Sequence, residues 1–171
     1  MHIKQLGLTL VELMVTIAIA AIMLTMGVPS LTSMYESYRA ESNIRTIQQA
    51  ILFSRNHALS YGSRVTLCPL NGNTCSNDWI NGASVFIDNG TINTIDGTDQ
   101  VLLELASFND NDFIDYDQNS ITIGNDGFVS GGFSSGSFNY CPGSQTSTDS
   151  KGLTLSISGK VKFTSGTIVC N

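Results

Sequence analysis

Between Val65 and Ser150 the chain has no lysine or arginine. The same stretch carries Asp78, Asp88, Asp96, Asp99, Glu104, Asp110, Asp112, Asp115, Asp117 and Asp126. Such a surface keeps a domain soluble and opposes a polyanion rather than gripping one. Histidine is also scarce, and His57 is the only one beyond His2. With one histidine beyond the leader and no Cys-x-x-Cys clip, zinc ligation is not written here. Gly132-Phe133-Ser134-Ser135-Gly136 spells the Gly-x-Ser-x-Gly pattern of a nucleophile elbow, but neither a histidine nor a helical pattern follows it. The match is read as chance. None of the acids stands in an apolar context that would raise its pKa for acid–base work. Asp88, Asp96 and Asp99 around two glycine turns, and the group Asp110, Asp112, Asp115 and Asp117, are oxygen-rich enough to be weighed for calcium. Neither follows the EF-hand spacing. No enzyme, no metal and no cofactor is expected.

What the sequence has in abundance lies at its start. A polar leader, residues 1–7 with Lys4 in it, runs into an apolar stretch from Leu8 to about Leu31 that is broken by one charge, Glu12. About 20 apolar residues cross a bilayer as a helix. The run is too long and begins too early for an ordinary secretory signal, and no small-residue cleavage site closes it. The one place for a cut is between Gly7 and Leu8. Lys4 puts the leader on the cytoplasmic side, so the rest of the chain faces the periplasm. A carboxylate at the bilayer centre costs about 2.5–3.5 kcal/mol, and less near the interface where Glu12 would sit. It either snorkels at the helix end or attracts a cationic partner.

Beyond the apolar run, 171 residues leave room for one further domain. Pro29 is expected to bend or locally melt the helix. Past it, Ala40, Ile44, Ile47, Ile51 and Ala58 recur at three- and four-residue steps, with only Ser54 polar among them. This is one face of an amphipathic helix, which Tyr61-Gly62 should end. The period then changes. Strands are expected near 64–69, 83–88, 101–107, 120–123, 137–141, 152–158, 160–164 and 167–170, separated by Asn-Gly and Asp-Gly turns and paired antiparallel. All four cysteines lie in this part, and four cysteines allow three pairings. A periplasmic location favours disulfides. The expected links are Cys68–Cys75, closing a turn-rich loop, and Cys141–Cys170, tying down the last strand. A link from Cys68 to Cys141 or Cys170 is the alternative.

The leader, Gly7, the acid five residues on and the uninterrupted apolar run closely resemble the class III signal of type IV pilins and type II secretion pseudopilins. The resemblance implies that prepilin peptidase cuts after Gly7 and methylates the Leu8 amine, and that Glu12 pairs with the free amine of a neighbouring subunit during assembly. Leu8 departs from the phenylalanine usual at that position. The helix end at 50–59, the strand Arg64-Val65-Thr66-Leu67-Cys68, Trp79, the run from Gly82 to Asp88, and the tail from Gly152 to Lys162 are similar to the FimT/FimU and GspH group. That implies an α+β, pilin-like fold: leader 1–7, membrane or fibre-core helix 8–31, amphipathic continuation 32–62, and an antiparallel β domain over 63–171. It also implies a minor type IV pilin, held first in the inner membrane and then built into a pilus with other pilins. The alternative is GspH of type II secretion.

The last residues reverse the charge, with Lys151, Lys160 and Lys162 and no acid. The FimT branch, which acts in DNA uptake, carries Gly-Arg-x-Arg where this chain has Gly159-Lys160-Val161-Lys162. Alternation on a strand puts Lys160 and Lys162 on one face. The resemblance implies sequence-blind contact with duplex DNA, weakened because lysine lacks arginine's fork. The plainer reading is a pair of lysines guarding an edge strand.

Overall fold

The structure, a computed structural model, describes residues 9–130, 135–164 and 167–170. The Gly7–Leu8 junction and residues 132–134 of the elbow-like motif lie outside the described residues. The chain divides into two compact units, residues 1–35 and 36–171, joined within one helix, α1 (Leu10–Tyr61).

From Leu10 on, the first unit is helix that is apolar on every side. Leu10, Val11, Leu13, Met14, Val15, Ile17, Ile19, Ile22, Met23 and Leu24 are all exposed, as a helix that lies in lipid or among other helices requires. Two of its threonines are satisfied within the helix. Thr16 and Thr25 each donate to a carbonyl one turn back, Leu13 O and Ile22 O, at 2.8 Å. The segment is long and apolar enough to cross a membrane. The helix runs unbroken through Pro29, so the local melting expected there is not found. A proline removes one donor, and the rest of the ladder carries the helix past it.

In the second unit the predicted stripe is the buried one. Ala40, Ile44, Ile47, Ile51 and Ala58 are at most 1% exposed. Ser54, the polar member, is buried and donates to Ala50 O at 2.8 Å. Each of the three isoleucines contributes about 1.5–3 kcal/mol by leaving water. After Tyr61 the helix stops at Gly62, whose φ of 63° is the left-handed cap.

Two four-stranded sheets follow, antiparallel at every pairing. The strands are β1 (Val65–Cys68), β2 (Leu70–Asn71), β3 (Thr74–Cys75), β4 (Ala83–Ile87), β5 (Val101–Leu105), β6 (Phe113–Tyr116), β7 (Ile121–Ile123), β8 (Ser135–Cys141), β9 (Lys151–Ser156) and β10 (Val161–Phe163). One sheet has the order β5-β4-β1-β7 and the other β10-β9-β8-β6, while β2 and β3 form a small hairpin. Val65, Leu67, Val85, Ile121 and Ile123 from the first sheet join Phe138, Leu153 and Leu155 from the second and the helix stripe in one core. Trp79, on a 3₁₀ turn, presents T-shaped contacts to Tyr116 and Phe138 at 5.3 and 4.7 Å.

Two expectations about strands fail. The segment 113–116, read only as part of an acidic cluster, is β6: Ile114 and Tyr116 pack inward while Phe113 and Asp115 face out. Residues 167–170 are not a strand. Instead they form a strap across the outer face of the second sheet. The hydrogen bond from Thr164 N to Gly152 O starts it, Ile168 Cδ1 sits where a Cβ on Gly152 would come within 3.1 Å, and the bond to Cys141 holds it.

Candidate functional site

At the start of α1, Thr9 and Glu12 hold each other. The Glu12 carboxylate accepts from Thr9 N at 2.9 Å and Thr9 Oγ1 at 3.0 Å, and Glu12 N donates to Thr9 Oγ1 at 3.2 Å. This is a capping box, which satisfies helix donors that would otherwise be orphaned. Its signal, Thr-x-x-Glu at 9–12, was in the sequence, but only the charge of Glu12 was read. The carboxylate therefore has local donors inside its own chain, and it stands three residues past the residue that a cut at Gly7 would leave second.

The cysteines are joined as Cys68–Cys75, with Cα atoms 5.5 Å apart, and Cys141–Cys170, at 6.2 Å. Both separations are ordinary for a disulfide. The first closes the β2–β3 hairpin, and the second anchors the strap.

Lys160 and Lys162 are exposed on the outward face of the second sheet. Lys162 pairs in register with Thr154, and Lys160 O accepts from Ser156 N at 3.0 Å. With Thr154 and Ser156 they line a shallow hollow of about 300 Å³. Lys151 does not join them. It lies at the far end of β9 opposite Tyr140, on the side of the strand that Leu153 and Leu155 occupy. The glycine of the Gly-Lys-Val-Lys run has a packing reason: Gly159 has φ 71°, and a Cβ there would meet Arg55 Cδ at 2.9 Å and Gly127 O at 3.0 Å.

The acids do not converge on a cation site. Asp88 is buried, with its oxygens held by Arg64 at 3.1 Å, Thr66 Oγ1 at 2.6 Å and Asn93 N at 3.0 Å. Asp99 accepts from Asn89 N and Asp96 N, at 2.9 and 3.1 Å. Hydrogen bonding to Thr91 holds the Asp96 carboxyl below the usual range. The loop is thus ordered by its own amides. Asp112 is buried between Arg39, at 2.6 Å, Gly143 N, at 2.9 Å, and the Tyr140 hydroxyl, which also accepts from Asn43 at 2.6 Å. Among the described residues no three His, Cys, Asp or Glu side chains are placed to hold a metal. The Arg39–Asp112–Tyr140 tie was not legible in the sequence, because Arg39 and Asp112 are 73 residues apart.

Residues 43–159 match the model of the family described as type II transport protein GspH, and residues 3–28 match that of the prokaryotic N-terminal methylation motif. No curated protein sequence matches the chain significantly. Among solved structures, the fold is similar to the type IV minor pilin FimU of Pseudomonas aeruginosa in two crystal forms, at 15% identity. In one form the similarity covers 74% of this chain and 88% of that one with a TM-score of 0.58; in the other, 73% and 92% with 0.57. It is also similar to the minor pseudopilin EpsH of the type 2 secretion system of Vibrio cholerae, at 11% identity, covering 74% and 97% with a TM-score of 0.53. At these identities the likeness is one of fold.

Proposed function

The chain belongs to the GspH family of type II transport proteins, and on that premise we propose that it works as a minor subunit of a type IV pilus, cut between Gly7 and Leu8 and methylated on Leu8. In this reading prepilin peptidase releases the leader, the helix holds the chain once across the inner membrane with its β domain periplasmic, and the helix then packs among those of other pilins in the fibre or at its tip. Its work is assembly, with no catalytic step. The observation that carries the reading is the first unit: a helix apolar on every face with a single carboxylate, Glu12, in its first turn. In lipid that charge is costly. In a fibre the Leu8 amine of a neighbour offsets it and sets the stacking register. Mass spectrometry of the mature chain should find Leu8, methylated, at the N-terminus, and a retained Met1 would overturn the processing.

The place in a pseudopilus of type II secretion is the competing assignment. Deletion of the gene is expected to abolish twitching and leave secretion intact. The reverse outcome assigns the chain to the secretion system.

A second reading has its own support, because Lys160 and Lys162 stand side by side on an exposed face without an acid on either strand. There they would touch phosphates of duplex DNA, weakly and without sequence preference, in the range of about 10⁻⁴–10⁻⁶ M. Exchanging both for glutamine should abolish low-salt binding, and arginine at both should tighten it. Binding that survives the glutamine pair removes this role from the hairpin.

A further inference from the structure

The outer edge of β5 is bare. β5 is the last strand of the first sheet, and among the described residues no hydrogen bond runs from Val101–Leu105 to anything but β4. The strand reads Val-Leu-Leu-Glu-Leu. Leu102 and Leu105 pack on the core, whereas Val101 and Leu103 are each 38% exposed. The strand bulges at Leu102, where its register against β4 shifts, but Leu103–Leu105 pair regularly and hold neither lysine nor proline, so this end of the edge is a template for another strand. Two of the other edges, β7 and β10, differ. β7 is covered where Ser130 N donates to Thr122 O at 2.8 Å and Val129 bridges Ile123, and β10 carries Lys162.

The end of β5 opens into a hollow of about 490 Å³, walled by Glu104, Leu105, Asp78, Asn81 and Gly82. The wall is fixed, since a Cβ on Gly82 would stand 2.4 Å from Leu105 O. Asp78 accepts only a neutral amide, Asn81 Nδ2 at 2.6 Å, and Glu104 has neither a hydrogen-bond nor an ion-pair partner among the described residues. Two carboxylates thus face one hollow beside an open strand, in a stretch of sequence that has no cation to give them.

We propose that the β5 edge docks a basic edge strand from a different pilin-type subunit. The incoming strand adds to the sheet through its main chain, lays an apolar side chain beside Leu103, and on the opposite face sets a lysine or arginine between Glu104 and Asp78. A second copy of this chain is the poorer occupant. Its basic edge, β10, is three residues long against five in β5. The inference rests on the assembly reading only for where such a partner stands; it does not use the helix or Glu12.

The test uses the full mature chain in lipid nanodiscs and a short blocked peptide alternating lysine with valine. Controls are the same peptide with glutamate for lysine and one with a central proline. Hydrogen exchange should slow at residues 100–106 with the lysine peptide alone. Glu104→Lys should weaken binding roughly fivefold or more, by loss of attraction and gain of repulsion, and Leu103→Lys should weaken it independently. Slowing elsewhere, equal binding of the glutamate peptide, or unchanged affinity in both variants would overturn the proposal. So would protection of 100–106 that grows with protein concentration without peptide, which would hand the edge to a second copy. Failure here leaves the processing and Glu12 experiments untouched.

Discussion

Tyr116 and Tyr140 are both buried, yet their hydroxyls have opposite fortunes. Tyr140 donates a hydrogen bond to Asp112 and accepts one from Asn43, while Tyr116, stacked on Phe138 at 3.8 Å, has a buried hydroxyl with no partner among the described residues. Removing a satisfied hydroxyl loses its bonds and leaves Asp112 Oδ2 buried without its donor, although Arg39 and Gly143 N still hold Oδ1. Removing an unsatisfied one relieves a desolvation cost. Tyr140→Phe is therefore expected to destabilise the domain by about 1–3 kcal/mol, and Tyr116→Phe to be neutral or stabilising, as read from urea unfolding. Burial raises the pKa of both, aided by Asp117 at Tyr116 and by Asp112 at Tyr140. A raised pKa means stability that is full below the unfolded tyrosine value of about 10 and is lost as pH climbs above it. Unfolding midpoints should hold steady up to that pH and fall beyond it, less steeply in Tyr116→Phe.

Among the elements, the helix and the strap show why some of this fold could be read in advance and some could not. The stripe from Ala40 to Ala58 announces itself because a helix buries every third or fourth residue, a local period that any window reveals. Strands β1, β4 and β9 did so for the same reason. The strap has no period. Where residues 167–170 lie is decided by Cys141 and by the absence of a side chain on Gly152, both distant in sequence. The nearby β6 was hidden by Asp115 within it and by Asp112 and Asp117 on either side, which masked Ile114 and Tyr116. Two substitutions test the strap. Serine at both Cys141 and Cys170 is expected to cost about 3 kcal/mol, since the bond closes a long loop, and to speed hydrogen exchange at 164–170. Gly152→Ala should crowd Ile168 together with Phe138 O and Asn139 Oδ1, at 3.1, 3.0 and 3.1 Å, and cost roughly 1 kcal/mol or more, with faster exchange that includes the same tail residues. If the tail exchanges no faster in either variant, it is held by something other than the strap contacts.

At the scale of the whole molecule, the division of labour is between a unit with a core of its own and a helix segment with none. Residues 36–171 bury their apolar stripe against two sheets. Residues 10–24 bury nothing in themselves, and must find lipid or other helices. The sequence displayed this contrast plainly, as an apolar run followed by an amphipathic one. It displayed the site less completely, because Glu12 has two jobs available: closing a capping box with Thr9 within its own chain, and meeting an amine in a fibre. A pair of substitutions separates them. Glutamine keeps the capping-box geometry but has no charge, and valine has neither. Assembled fibre, measured as the sheared pilus fraction against the chain retained in the inner membrane, is the readout. If the charge of Glu12 drives assembly, Glu12→Gln and Glu12→Val insert normally and both lose fibre incorporation by about tenfold or more, because removing one partner strands the other charge in a buried setting. Fibre incorporation by Glu12→Gln at the wild-type level would contradict that claim and leave Glu12 as a helix cap.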